Sequence, residues 1–336
     1  MTTAKSLDIK LGRILSDSSV DDFILADAKD ADMGFGIAAP GPADGEHSAS
    51  PYRTLEQYRD WMRTIVKEQL VDIMLMSAGT SERLTIEERL FDDSPVTAAV
   101  RANDTTDIWC GLSGNYASEP SLPFRTATID EIQSGHNGCS DAERASGADL
   151  ALYSITFNNH AELDRAALER YREFRLEAEA KGLRHFLEVF APNCLQAPVA
   201  DVGRYVNDCI VRCLAGVPRA GRPLFLKIPY FGREAMESLV HYDPTLVVGI
   251  LGGSAGTTHD AFRLLADAKR DGARVALFGR KINQAEDQLS FLRCLRAVAD
   301  GDSSPEAAVR DYHGRLQGLG IAARRSLADD LALSAG

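Results

Sequence analysis

LFLKIPY (224–230), LVVGILGG (246–253) and RVALFGR (274–280) are short apolar, β-branched runs, each separated from the next by a charged stretch of helical period. That alternation is what parallel strands joined by crossover helices require, because a strand buried on both faces must be apolar and its crossover helix must be wet on one side. Moving outward along the chain, the same pattern recurs in FILADA (23–28), VDIMLMS (71–77), TDIWCGLS (106–113), ADLALYSIT (148–156) and HFLEVFA (185–191). Eight strand-like runs predict an α/β fold of the TIM (β/α)8 barrel type, with residues 1–336 forming a single domain. Long loops around 36–54 and 114–147 are expected on the C-terminal rim, where loops of this architecture build the site.

The helical stretches support that layout. TLEQYRDWMRTIVKEQ precedes the second run, and HAELDRAALERYREFRLEAEAKG precedes the fifth, with Leu163, Ala167, Tyr171 and Phe174 spaced to face a barrel wall. Ser304, Pro305 and Glu306 start a last helix before a tail, ADDLALSAG, expected to fray. Hydrophobic residues make up 45% and charged residues 26% of the 336, enough apolar material for a core without disulfides. The formal charge of −12 is spread along the chain with no basic stripe, which argues against nucleic acid as a partner. Any anionic substrate must therefore be captured by local cations and backbone amides. Cys110, Cys139, Cys194, Cys209, Cys213 and Cys294 form no CxxC pair and read as reduced thiols. MTTAKSLDIKLGRI lacks a leader's apolar centre, and no run is long enough to span a bilayer, so a soluble, cytoplasmic protein with no membrane partner is expected.

Chemistry concentrates in the three opening runs. Lys227 lies inside a strand, where alternation turns either it or Leu226 and Ile228 toward the barrel axis. A buried lysine loses proton affinity, and a neutral amine attacks carbonyls; the plainer alternative is a snorkelling lysine or one paired with a barrel carboxylate. GILGGSAGTTHDAF (249–262) ends a strand in Gly252 and Gly253 and offers Thr257, Thr258 or Asp260 as helix cap, an arrangement that presents amides to an anion. VALFGRK (275–281) adds Gly279 and Arg280 at the end of the next strand. Loops after strands seven and eight are the usual phosphate site of this barrel. His136, His160 and His259 match no metal spacing, and neither metal nor cofactor is expected.

A lysine on strand six, glycines after strand seven and Gly-Arg after strand eight together resemble the class I, Schiff-base aldolases of the archaeal-type fructose-bisphosphate and tagatose-bisphosphate kind. The similarity is densest from 224 to 298, where that family has a K-x-x-Y-like strand, a GG turn and a GRN-like turn before a helix. The resemblance implies that Lys227 forms the Schiff base and that Gly252, Gly253, Ser254, Gly279 and Arg280 grip phosphate. It implies that Glu188 is the strand-five acid/base of the tagatose branch, since Phe190 stands where the archaeal branch has a catalytic Tyr. Asp27 matches the strand-one aspartate that assists proton transfer, with Asp30 as its rival. Strand three, read as WCGLSGNYASEP, lacks the family's Lys, leaving Lys29, Arg83 and Arg125 as replacements.

The activity implied by the resemblance is retro-aldol cleavage of a ketose phosphate to dihydroxyacetone phosphate and an aldehyde, without cofactor, by a homo-oligomer whose partner is a phosphorylated sugar. Two other classes use the same residues: a different Schiff-base lyase, acting on a deoxysugar phosphate or in a transaldolase-like transfer, and a barrel that binds phosphometabolites without turnover.

Overall fold

Eight parallel strands close into a ring: β1 (Ile24–Lys29), β2 (Ile73–Met76), β3 (Thr97–Arg101), β4 (Leu150–Thr156), β5 (Arg184–Phe190), β6 (Leu226–Ile228), β7 (Val248–Leu251) and β8 (Val275–Phe278). Each pairs with its sequence neighbours, and β1 closes on β8. The computed structural model describes residues 3–17, 19–43, 50–109, 113–253 and 256–334. This is the TIM barrel that the sequence pattern predicts.

The period of two sorts the strand residues into two cores. Ile24, Ala26, Ile73, Leu75, Ala99, Leu150, Leu152, Phe186, Phe225, Val247, Val275 and Leu277 fill the barrel interior, and the helix Ser6–Ser16 closes its N-terminal end with Leu7 and Leu11. The alternate residues, Leu25, Met74, Val100, Tyr153, Leu187, Val248 and Phe278 among them, pack outward against the helices. The helix Ala161–Ala180 contributes Ala167, Tyr171, Phe174 and Ala178 to that outer layer. Asp72 ties the N-terminal side together, pairing with Lys10 at 2.9 Å and Arg296 at 2.7 Å and accepting from the Leu25 amide at 2.8 Å.

Two sequence expectations need correction. The third strand is Thr97–Arg101, upstream of TDIWCGLS. Residues 104–109 turn over the rim instead: Asp104–Thr105 pairs antiparallel with Pro123–Phe124, and Asp107 accepts from Ser121 and Thr156. The tail also docks rather than frays. Leu327–Leu331 is helical, Asp330 accepts from the Thr258 amide at 2.8 Å and contacts His313 at 3.0 Å, and Thr257 donates to the Ala332 carbonyl at 2.8 Å. A carboxylate at the N-terminus of the helix Thr258–Arg270 satisfies orphan amides and lies favourably in the helix dipole.

Candidate active site

Lys227 points into the barrel mouth, not outward. The register sets it opposite Glu188 on β5, which in turn lies opposite Ser154 on β4, so three adjacent strands deliver their polar residues at one level. Lys227 Nζ stands 2.6 Å from Glu188 Oε1, with the two residues only 7% and 1% exposed. The lysine is therefore buried as expected, but it is buried as half of an ion pair. The other Glu188 oxygen, Oε2, accepts from Ser154 Oγ at 2.7 Å and from Arg101 Nη1 at 3.4 Å. Ser154 is itself fixed, its amide donating to Asn103 Oδ1 at 2.7 Å and its carbonyl accepting from Asn103 Nδ2 at 2.9 Å.

Arg101, absent from the sequence reading, ends β3 and reaches across the mouth. It donates to Asp30 Oδ2 at 2.9 Å and to Ser154 Oγ at 3.1 Å, and its Nε lies 3.4 Å from Asp104 Oδ1. Burial works against its charge, but the carboxylates of Asp30, Glu188 and Asp104 outweigh it and hold the guanidinium above its ordinary range. Asp104 shows the reverse balance: burial pushes its carboxyl up to about 6 despite the Arg101 charge. The expected replacements for a strand-three cation lie elsewhere. Arg83 pairs with Glu87 and Glu88, Arg125 with Glu177, and Lys29 is sealed behind β1.

Opposite this cluster the mouth is walled by Gly252, Gly253, Gly279 and Arg280, and together with Asp30, Arg101, Glu188, Phe190 and Lys227 they enclose a cavity of about 110 Å³. Gly252 and Gly279 are there because nothing larger fits. A Cβ on Gly252 would stand 2.2 Å from the Phe278 ring, and one on Gly279 would stand 2.4 Å from the Ala28 carbonyl oxygen. The Arg280 guanidinium lies over the Phe35 ring, 4.9 Å from its centre, and burial lowers its pKa while the field of Glu188 opposes that shift. Ser254 lies outside the described residues. The helix that follows offers less to an anion than its sequence suggests, because the Thr257 amide donates to Asp260 at 2.6 Å and the Thr258 amide to Asp330.

Asp27 is not brought to the mouth. On β1 the inward residues are Ile24, Ala26 and Ala28, and the next in step is Asp30, which lines the cavity. Asp27 faces the helices, 3.2 Å from Lys29 Nζ, and its burial pushes the carboxyl up to about 6 against the pull of that lysine. Lys29 also donates to Asn283 at 2.5 Å and Gln288 at 2.7 Å, which anchors the turn carrying Arg280 to the barrel wall. Among the described residues no three His, Cys, Asp or Glu side chains form a set able to hold a metal ion. His160 caps the helix Ala161–Ala180, and His259 contacts the Leu331 carbonyl at 2.7 Å.

The barrel that holds these residues has counterparts among solved structures. An archaeal fructose 1,6-bisphosphate aldolase matches with a TM-score of 0.61 at 15% identity, covering 87% of this chain and 99% of its own. The chain has the barrel fold of that aldolase. The fructose-bisphosphate aldolase from Slackia heliotrinireducens DSM 20476 matches at a TM-score of 0.60 and 16% identity, over 95% of this chain and 92% of its own. An archaeal aldolase with its catalytic lysine bound to the carbinolamine intermediate of its substrate gives a TM-score of 0.58 and 16% identity, over 87% of this chain and 100% of its own. No protein-family model and no curated protein matches the sequence. No helix among the described residues is long and apolar enough to cross a membrane.

Proposed function

We propose that the chain is a class I aldolase that cleaves a ketose phosphate to dihydroxyacetone phosphate and an aldehyde through a Schiff base on Lys227. The observation that carries this reading is the 2.6 Å contact between Lys227 and Glu188 inside a cavity whose far wall holds the Gly252–Gly253 and Gly279–Arg280 turns. The aldolase fold of the neighbours, among them a Schiff-base-forming fructose-1,6-bisphosphate aldolase, supports it.

At that distance Glu188 takes a proton from the Lys227 ammonium, so the amine need not be neutral at rest. Nζ then forms a bond to the substrate's C2 carbonyl carbon while Glu188 returns the proton to the oxygen, giving the carbinolamine. The nitrogen's second proton passes to Glu188 and on to the C2 hydroxyl, which leaves as water, and the nitrogen lone pair forms the protonated imine. Asp30, the strand-one carboxylate that lines the mouth, accepts the C4 hydroxyl proton. The C3–C4 bond breaks, its electrons flow into the iminium, and the aldehyde departs from an enamine. Protonation at C3 and addition of water at C2 release dihydroxyacetone phosphate and restore the lysine. Arg280 and the glycine turns hold the phosphate by charge and by backbone amides. Asp27, proposed from the resemblance for the C4 proton, is separated from the mouth by the barrel wall and takes no part in proton transfer.

Borohydride reduction in the presence of dihydroxyacetone phosphate, followed by peptide mass mapping, is expected to leave the adduct on the peptide containing Lys227. Absence of label, or label on another lysine, sinks the assignment. A second expected result concerns the grip. Gly279→Ala drives a methyl group into the Ala28 carbonyl, which belongs to the strand backbone and cannot move aside, so Arg280 is displaced. KM for the phosphorylated ketose should rise on the order of tenfold to a hundredfold, as misplacements near 1 Å do. An unchanged KM would remove Gly279 and Arg280 from the phosphate site.

A further inference from the structure

Among the described residues three cations face the mouth, and their partners differ. Lys227 is paired with Glu188. Arg101 has three carboxylates around it: Asp30 at 2.9 Å, and Asp104 and Glu188 both at 3.4 Å. Arg280 alone makes no ion pair among the described residues and rests on an aromatic ring. Segments 44–49, 110–112 and 254–255, outside the described residues, contain no Lys or Arg. Lysine and arginine side chains nearby are engaged elsewhere: Lys29 is behind the wall with Asp27, and Lys281 turns away to donate to the Gly256 carbonyl at 2.9 Å.

A phosphate group carries close to two negative charges near neutral pH, and a low-dielectric mouth magnifies both its attraction to a free cation and its repulsion by a carboxylate. At the Arg280 end one phosphate meets an uncompensated guanidinium and the glycine turns. At the opposite end, under β1 and β3, a second phosphate would meet Asp30, with Asp104 behind it, and an arginine whose charge is already matched. Ala31, Gly34 and Ile108, which also line the cavity, add no charge. Asp30 there is an acceptor suited to a hydroxyl group.

We infer that the substrate carries a single phosphate, at the end held by Arg280, and that the aldehyde released from the other end is small, hydroxylated and unphosphorylated. This rests on the aldolase reading and narrows its substrate class: a ketose monophosphate, not a bisphosphate. The Asp30–Arg101–Asp104 cluster rejects charge at that end as well as accepting a hydroxyl, which makes it a specificity device through repulsion.

The test runs the full-length enzyme in the condensation direction, with dihydroxyacetone phosphate and either glyceraldehyde, glycolaldehyde or glyceraldehyde 3-phosphate. The unphosphorylated aldehydes are expected to give kcat/KM higher by at least about tenfold. Equal or better use of glyceraldehyde 3-phosphate overturns the inference. In Asp104→Asn one of the three carboxylates loses its charge, and the preference should fall several-fold; an unchanged ratio contradicts the electrostatic cause, and if that variant does not fold the wild-type panel still decides. Borohydride trapping of dihydroxyacetone phosphate alone needs no aldehyde, so it separates the two levels. No adduct removes both the aldolase reading and the inference, whereas an adduct together with a preference for the phosphorylated aldehyde removes the inference only.

Discussion

Lys227→Met is expected to lower kcat for aldol cleavage by at least about 10⁴-fold while the barrel stays folded, because covalent catalysis disappears with its nucleophile. Among the described residues no second amine lines the mouth: the other cations there are Arg101 and Arg280, whose guanidinium groups do not form imines at neutral pH. Folding should survive because Glu188, on losing its ammonium, keeps hydrogen bonds from Ser154 and Arg101, and Met approximates the volume of the lysine stem. Glu188→Gln makes the complementary measurement. The amine remains, so borohydride still labels Lys227, but more slowly, because imine formation loses its proton carrier and kcat should fall by about 10²–10⁴-fold. Steady-state assays with thermal melts check both. A Lys227→Met enzyme that keeps more than a few per cent of its activity, with contaminating aldolase excluded, would end the Schiff-base proposal.

Why Lys227 could be found in the sequence and Arg101 could not is a matter of strand composition. β6 sits in a run where Phe225, Leu226 and Ile228 are apolar and buried, so a lysine among them is conspicuous. β3 is TAAVR (97–101), with two alanines at its centre. It needs no more bulk, because Ala99 lies in register with Leu150 of β4, and Leu150 and Leu152 fill the interior on its behalf. TDIWCGLS nearby carries bulkier apolar side chains, although its residues 106–109 only cross the rim. The usable signal was the alternation of Val96, Ala98 and Val100 ended by an arginine. Asp27 illustrates the other limit. In a strand apolar on both sides, sequence cannot say which parity faces the axis, and only the closed barrel turns Asp30 inward and Asp27 outward. Likewise, ADDLALSAG looks loose until its Asp330 meets the amide of a helix distant in sequence.

Arg101→Met should carry the largest stability cost of any single change at the mouth, about 3–5 kcal/mol, since it strips the counter-charge from Asp30, Asp104 and Glu188 in a buried cluster. Lys227 still neutralises Glu188, so the deficit falls mainly on the two aspartates. Its pH dependence has a definite sign. Asp104 already titrates near 6 because burial outweighs the arginine, and removing the guanidinium removes the influence that lowers it, so its folded value climbs further above the unfolded one. A carboxyl raised in the folded state stabilises below its unfolded pKa and loses that contribution as pH rises through the folded value. The gap in melting temperature between variant and wild type should therefore be narrower at pH 5, where the aspartates can take up protons, and widest at pH 8. A gap of the same size at both pH values would mean that Arg101 supports the fold by packing alone, and would also remove the charge-matched arginine on which the single-phosphate substrate depends.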